Sequence, residues 1–369
     1  MIEPFLQKEL RDLINKKAYR ELNATALDKL HLDFSSNDYL GLAKHPELIS
    51  LLEKYSTSCA LGATGSRLLG GNSVAHEACE HVISEFVEYP KSLLFNSGYQ
   101  LNVGVIATLY KKGDLVIADR YIHASIIDGI LKSGATFKRF HHNDVDHLEL
   151  LLSKYRSQHR HCLVVTEALF SMHADCAPIK DISKLAARFN AEFMLDEAHS
   201  IGVFGKQGKG LANELGVQPD YLIGTFGKAF GLSGAFIATS KVVTDYLVNK
   251  CRSFIYSTAL PIVHVHLLSA AIEYVSNMDL ARRKVFDLSR LLVRGLEKKG
   301  YRVLGDAYIV AIVLGTNEAV LNMQSLLRDK GINVAAIRHP TVAKNQECIR
   351  FSVRADHSEA DINFLLDHV

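Results

Sequence analysis

The chain has 369 residues, 48% of them hydrophobic and 22% charged, with 42 Lys+Arg against 40 Asp+Glu. That length suits one large core plus a smaller one, and the composition is that of a globular protein. The near balance of charge argues against nucleic acid as the main partner, because a phosphate backbone calls for a basic excess or stripe. No apolar run is long enough to make a membrane partner.

The opening segment, MIEPFLQKELRDLINKK, reads as an amphipathic helix of mixed charge and lacks the apolar stretch of a signal peptide. A cytoplasmic protein is expected, and the six scattered cysteines, with no CxxC pair, suit reduced core residues there. HEACEH (His76 to His81) looks like a zinc-protease helix, but its histidines are five apart where HExxH needs four, so an amphipathic helix face and no metal is expected. From Ser92 onward, short apolar runs alternate with helical stretches: SLLF, LVIA, TFKRF, LVVTE, EFMLD, YLIGTF and GAFIAT. This alternation predicts βαβ units and a mostly parallel sheet between helices, an α/β fold. The histidines His141, His142, His159 and His161 read as solvated loop residues. One long helical region is predicted from about Pro261 to Lys299, followed by YRVL, YIVAIVLG, a helix near Glu318–Lys330, INVAAI, CIRFSV and a last helix. Strands mixed with helices predict a compact α+β domain. The expected division is an N-terminal arm over 1–41, a large domain over 42–278 and a small C-terminal domain over 279–369.

The chemically suggestive residues follow the buried runs, and parallel sheets collect ligands at the carboxyl ends of their strands. One run ends in LDEAHS, with Asp196 and His199; the next ends in GTFGKAFG, with Thr225 and Lys228. A lysine directly after a buried strand, between Gly227 and Gly231, is unusual, since lysine is normally solvated. In a partly desolvated pocket its amine has a lowered pKa and can attack a carbonyl to form a Schiff base. Pyridoxal phosphate needs such a lysine and an acidic partner for its ring nitrogen, a role that Asp196 suits. Ser97, Gly98 and Tyr99, after SLLF and before a helical stretch, can offer backbone N–H groups to its phosphate. Singly, Asp196 also suits a helix N-cap, Lys228 a surface loop and His199 a structural hydrogen bond. GTFGKAF lacks the glycine spacing and the Ser/Thr of a phosphate loop, and no GxGxxG follows a strand, so a nicotinamide cofactor is unsupported.

Over nearly its whole length the chain resembles the α-oxoamine synthases, pyridoxal-phosphate enzymes of fold type I. The resemblance rests on FSSNDYLGLA (from Phe34), GATGSRLLGGNS (from Gly62), FNSGYQLN (from Phe95), DRYIHASIIDG (from Asp119), HNDVDHL (from His142), VTEALFSM (from Val165), LDEAHSIGVFGKQGKG (from Leu195), TFGKAFGLSGA (from Thr225) and IYSTALP (from Ile255). It implies an enzyme that joins an amino acid to an acyl-CoA or acyl-carrier protein with loss of carbon dioxide, working as a homodimer with shared active sites. GSRLLGGNS, HND and AIRHPTV followed by CIRFSV are most similar to the branch that uses L-alanine and a pimeloyl thioester. Siblings with another amino acid or acyl chain share the core motifs.

The resemblance also implies roles. Lys228 carries the cofactor and exchanges the Cα proton. Asp196 pairs with the ring nitrogen, His199 bonds the phenolic oxygen and His123 stacks on the ring. Gly98, Tyr99 and Thr225 hold the phosphate, Ser171 contacts the cofactor, and Ser257 and Thr258 reach the partner subunit's phosphate. Arg350 clamps the amino acid carboxylate; Arg20, Asn37, Arg338 and Thr341 are further substrate contacts. Three places depart from the family pattern. His173 and Ala174 stand where Asp-Gly is usual, which is expected to reshape the turn because alanine resists φ > 0. His339 and Ile262 each replace a proline.

Overall fold

The computed structural model describes residues 2–22, 32–305 and 307–369. The chain forms two compact units: residues 38–170 with 176–282, and residues 1–37 with 171–175 and 283–369.

The larger unit is built on a seven-stranded sheet. Across it lie the strands Lys91–Phe95, Ala235–Thr239, Tyr221–Thr225, Glu192–Asp196, Cys162–Glu167, Leu115–Asp119 and Thr136–Phe140. All run parallel except Ala235–Thr239, which is antiparallel to both neighbours. The reason is length: residues 226–234 are too few for the crossover that a parallel pair needs, so the chain turns back on itself. Leu115–Asp119 and Cys162–Glu167 are buried at every residue, as strands covered by helices on both faces must be. Leu93, Val105, Ile126, Val165, Met194, Ile223 and Ile237 belong to one continuous core around this sheet. At roughly 1.5–3 kcal/mol for each large aliphatic side chain withdrawn from water, this core outweighs any single polar contact.

The predicted helical region from Pro261 to Lys299 is two helices, Ile262–Ser276 and Asp279–Lys298. The break follows from side-chain chemistry. Asn277 Nδ2 bonds the Glu273 carbonyl at 2.9 Å, and the guanidinium of Arg282 takes the carbonyls of Val275 and Ser276, satisfying acceptors that a helix end leaves open. HEACEH lies in the helix Val74–Val87, with His76 buried on the Leu260 carbonyl and His81 exposed beside Glu85.

The smaller unit holds a four-stranded antiparallel sheet in the order Ala335–Ile337, Cys348–Ser352, Ile309–Val313, Val303–Leu304. A parallel pair, Leu32–Asp33 with Ile332–Asn333, joins the N-terminal part to it. Ala174 takes φ 59° and is fully buried, so this turn uses the left-handed region despite the methyl group. The described cysteines are all free thiols. Among the described residues, no helix is long and apolar enough to cross a membrane.

Candidate active site

A cavity of about 300 Å³ opens at the carboxyl ends of the parallel strands of the larger unit, and Lys228, Asp196, His199 and His123 all line it. Each is delivered by a short local device. The strand Tyr221–Thr225 runs into a loop whose backbone closes on itself: Phe226 N–H bonds the Gly234 carbonyl, Leu232 N–H bonds Phe226, and Gly231 N–H bonds Lys228, each at 2.9 Å. Phe226 and Phe230 are fully buried, with ring centroids 5.1 Å apart, and anchor the loop on either side of Lys228. Gly231 sits at φ 64°, and an added Cβ would lie 2.2 Å from the Ala43 nitrogen, so no other residue fits there.

Asp196 ends its strand, only 6% exposed, and accepts Ala198 N–H at 2.9 Å and Asn102 Nδ2 at 3.0 Å. His199 is also buried, with Nδ1 2.7 Å from the Tyr39 hydroxyl. His123 caps the helix Ala124–Ser133, its own N–H donating to Glu167 Oε1 at 2.6 Å. Burial lowers the His123 pKa and Lys228 works in the same direction, with the carboxylates of Asp196 and Asp128 opposing. Burial, then Asp196, pushes the Glu167 carboxyl up to about 8.

The other end of the cavity suits an anion. Ser97 caps the helix Gly98–Leu109 and accepts from Gln100 N–H, so the amides of Gly98 and Tyr99 remain as helix-end donors. Facing Gly98 is Thr225: a Cβ on the glycine would meet Thr225 Cγ2 at 2.9 Å. The Thr225 hydroxyl is buried and has no partner among the described residues, a costly arrangement unless a ligand supplies one. Two helix-end amides with an orphaned hydroxyl at one end, and a buried carboxylate with a lysine elsewhere in the cavity, fit pyridoxal phosphate.

The remaining expected residues fall into two groups. Ser257 and Thr258 do not line the cavity; they hold residues beside it, Ser257 by accepting from Gln100 and the Thr258 carbonyl by accepting from Asn96 Nδ2 at 2.7 Å. Ser171, Asn37, Arg350, Arg20, Arg338 and Thr341 belong to the smaller unit. There Arg350 is 6% exposed and donates to Asn37 Oδ1 at 3.0 Å and the Ser171 carbonyl at 3.3 Å, with its Nε buried and unsatisfied among the described residues. Among the described residues no carboxylate pairs with it, which leaves a buried cation suited to an incoming anion. Arg20 donates to Thr341 Oγ1 at 2.7 Å, and Arg338 to the carbonyls of Lys17 and Tyr19 at 2.8 and 3.0 Å. Lys17, Arg20, Arg328 and Arg338 line a second cavity of about 750 Å³ in which Glu21 is the one acidic wall residue among the described residues.

Asn102, Ser125, Glu167 and Tyr39 were not singled out by the sequence, yet the first three line the first cavity and Tyr39 bonds His199. Glu167 carries the same signal as Asp196, an acid at the carboxyl end of a buried strand. Asn102 is marked as the one polar residue among the buried positions Leu101, Asn102, Gly104, Val105 and Ile106 of its helix. Two loop histidines differ from expectation. His142 bonds the buried Asp119 at 2.9 Å and packs edge-on against Phe170; His159 bonds the Tyr155 carbonyl at 2.8 Å and Thr136 Oγ1 at 3.0 Å. Both are structural because buried or chain-end acceptors lie beside them.

The comparisons agree with this geometry. The profile of class I and II aminotransferases matches residues 30–369. The 8-amino-7-oxononanoate synthase of Salmonella newport is 38% identical over 361 residues, covering 97% of this chain and 92% of that protein. Among solved structures, S. paucimobilis serine palmitoyltransferase with bound PLP-myriocin is 28% identical with a TM-score of 0.91, covering 100% of this chain and 97% of that one. The 8-amino-7-oxononanoate synthase of Francisella tularensis is 27% identical with a TM-score of 0.79, covering 92% and 96%. The chain therefore belongs to the class I and II aminotransferase family and, within it, is a pyridoxal-phosphate-dependent acyltransferase of the α-oxoamine synthase type, most like 8-amino-7-oxononanoate synthase.

Proposed function

We propose that the protein condenses L-alanine with a pimeloyl thioester, on CoA or a carrier protein, to give 8-amino-7-oxononanoate, free thiol and carbon dioxide in biotin biosynthesis. The observation that carries this reading over its siblings is the basic cavity of the smaller unit. A pimeloyl chain ends in a carboxylate and a palmitoyl chain in a methyl. A wall with Arg20, Arg328 and Arg338, beside a Lys17 that already pairs with Glu318, suits the first and would strand the second. The likeness in shape is higher to the serine palmitoyltransferase, and the likeness in sequence higher to the Salmonella synthase. We weigh sequence more, because the side chains rather than the backbone path select the substrate.

When bound, pyridoxal phosphate supplies an electron sink for negative charge at the α-carbon of the amino acid. The amides of Gly98 and Tyr99 and the Thr225 hydroxyl would hold the phosphate, and Asp196 would keep the ring nitrogen protonated. Lys228 Nζ would hold the cofactor covalently and, once the alanine amine has displaced it, would be free to take the Cα proton and later return one. Arg350 holds the alanine carboxylate until it leaves as carbon dioxide. A carbon–carbon bond forms between Cα and the acyl carbonyl as the carbon–sulfur bond breaks.

The working form is proposed to be a cytoplasmic homodimer. In support, Leu61, Leu69, Val74 and Tyr256 are 76%, 82%, 85% and 72% exposed on the larger unit, apolar side chains that a partner surface would cover. The test is to incubate the cofactor-loaded protein with L-alanine and pimeloyl-CoA, following thiol release and product mass. Release that needs both substrates, with the 8-amino-7-oxononanoate mass, supports the reading. Release only with glycine or serine, or only with an unsubstituted acyl chain, moves it to a sibling.

A further inference from the structure

We infer that Asn102 and Ser125 are positioning residues that hold His123 as a neutral imidazole with its proton on Nε2. The argument starts from Asn102. Its Nδ2 donates to Asp196 Oδ2 and to Ser125 Oγ, each at 3.0 Å. Turning the amide over would set its oxygen against the Asp196 carboxylate, with no proton between them, so the orientation is fixed. That orientation leaves Asn102 Oδ1 buried without a partner among the described residues, a cost offset by the two donor bonds.

Ser125 Oγ thus already accepts a proton donor. His123 Nδ1 lies 2.7 Å from the same oxygen, and the ring tautomer decides which of the two donates. The Ser125 backbone N–H points at the same nitrogen from 3.2 Å, and a peptide N–H cannot reverse its polarity. With a peptide N–H aimed at it, Nδ1 keeps its lone pair, so the Ser125 hydroxyl donates to it as well and the ring proton sits on Nε2. Among the described residues Nε2 has no hydrogen-bond partner, and His123 lines the cavity. The backbone N–H of His123 is tied to Glu167, which fixes the residue from the other side.

Charges around the ring pull both ways. Asp196 and Asp128 favour a charged imidazolium, while burial and Lys228 oppose it, and Glu167 faces the backbone of the residue. The two donors at Nδ1 add to the opposing side. The outcome is a hydrogen-bond donor in the cavity that does not place a second cation beside Lys228. On the reading proposed above, that donor serves an oxygen of the bound substrate over the whole neutral pH range.

The test uses the holoenzyme labelled with ¹⁵N-histidine, the His123 signals being assigned by their loss in His123→Asn. The expected spectrum has His123 unprotonated at Nδ1 and protonated at Nε2 through neutral pH. In Ser125→Ala the protonation midpoint of His123 should rise by about one pH unit, since a hydrogen bond to the neutral form is worth ~1 kcal/mol. Ser125→Thr, which keeps the hydroxyl, should restore it. A wild-type proton on Nδ1, or a midpoint in Ser125→Ala equal to wild type, overturns the inference. The measurement needs no substrate. An enzyme inactive with alanine and pimeloyl-CoA but with the expected tautomer loses the proposed function and keeps this assignment.

Discussion

Lys228 and Arg350 make separable demands on the chemistry. Lys228→Ala removes both the covalent anchor and the base, so turnover should fall by at least about 10³-fold while the protein keeps its fold; thiol release under saturating substrates measures it. Arg350→Ala should act mainly on capture of the amino acid. A charge-assisted bond is worth roughly 1.5–3 kcal/mol, so the KM for alanine should rise about 10- to 100-fold with a smaller change in kcat. An unchanged KM would remove Arg350 from the proposed role. At this scale the sequence was informative about Lys228, Asp196 and His199, because each directly follows a buried strand. It was silent on Tyr39, whose hydroxyl meets His199 across a separation of 160 residues.

Two elements hold the cavity in shape through glycine. The turn after Lys228 has no room for a side chain at Gly231, where an added Cβ overlaps Ala43 backbone at a positive φ. Gly231→Ala should lower stability by roughly 2–4 kcal/mol, from left-handed strain together with overpacking, visible as a lower urea midpoint. At the start of the helix Gly98–Leu109, Gly98→Ala presses on the branched side chain of Thr225. The expected effect is local: about tenfold weaker retention of pyridoxal phosphate, equivalent to roughly 1.4 kcal/mol, with the unfolding midpoint of the cofactor-free protein little changed. Dialysis against a cofactor scavenger, followed by absorbance, reads this directly. Elements were also where pattern reading blurred. The apolar periodicity ran through residues 261–299 without interruption, while the actual break depends on Arg282 reaching back to carbonyls of the preceding helix.

For the molecule as a whole, buried titratable groups set the pH dependence of folding. Burial pushes Glu167 up to about 8 and Glu197 up to about 7 from an ordinary value of 4.5. A carboxyl whose folded pKa lies above its unfolded one keeps its proton longer when folded, so stability falls as pH rises through that interval. His76 works the other way: burial lowers it to about 4 from 6.5, so stability rises with pH across that lower window. The two trends oppose each other at acid pH, and between about 6.5 and 8 the raised glutamates dominate. The cofactor-free protein should therefore lose stability between about pH 6.5 and 8. Glu167→Gln should flatten that decline, and urea titrations across the interval would expose a wrong sign.

While the turn back after Lys228 came from the structure, the sequence by itself determined which segments are the buried strands and the gathering of Lys228, Asp196, Thr225 and His199 at one end of a mostly parallel sheet. These follow from local apolar patterning and from a general property of such sheets, so they are written in contiguous residues. The tertiary structure alone decided which polar groups meet. Asn102 lies 94 residues from Asp196 and 23 from Ser125, yet one amide joins both. Likewise the buried cation of Arg350 is defined by neutral acceptors 179 and 313 residues away in the chain. Such partners have no local signature, because a hydrogen bond is specified by where two segments are held in space and not by what precedes either of them.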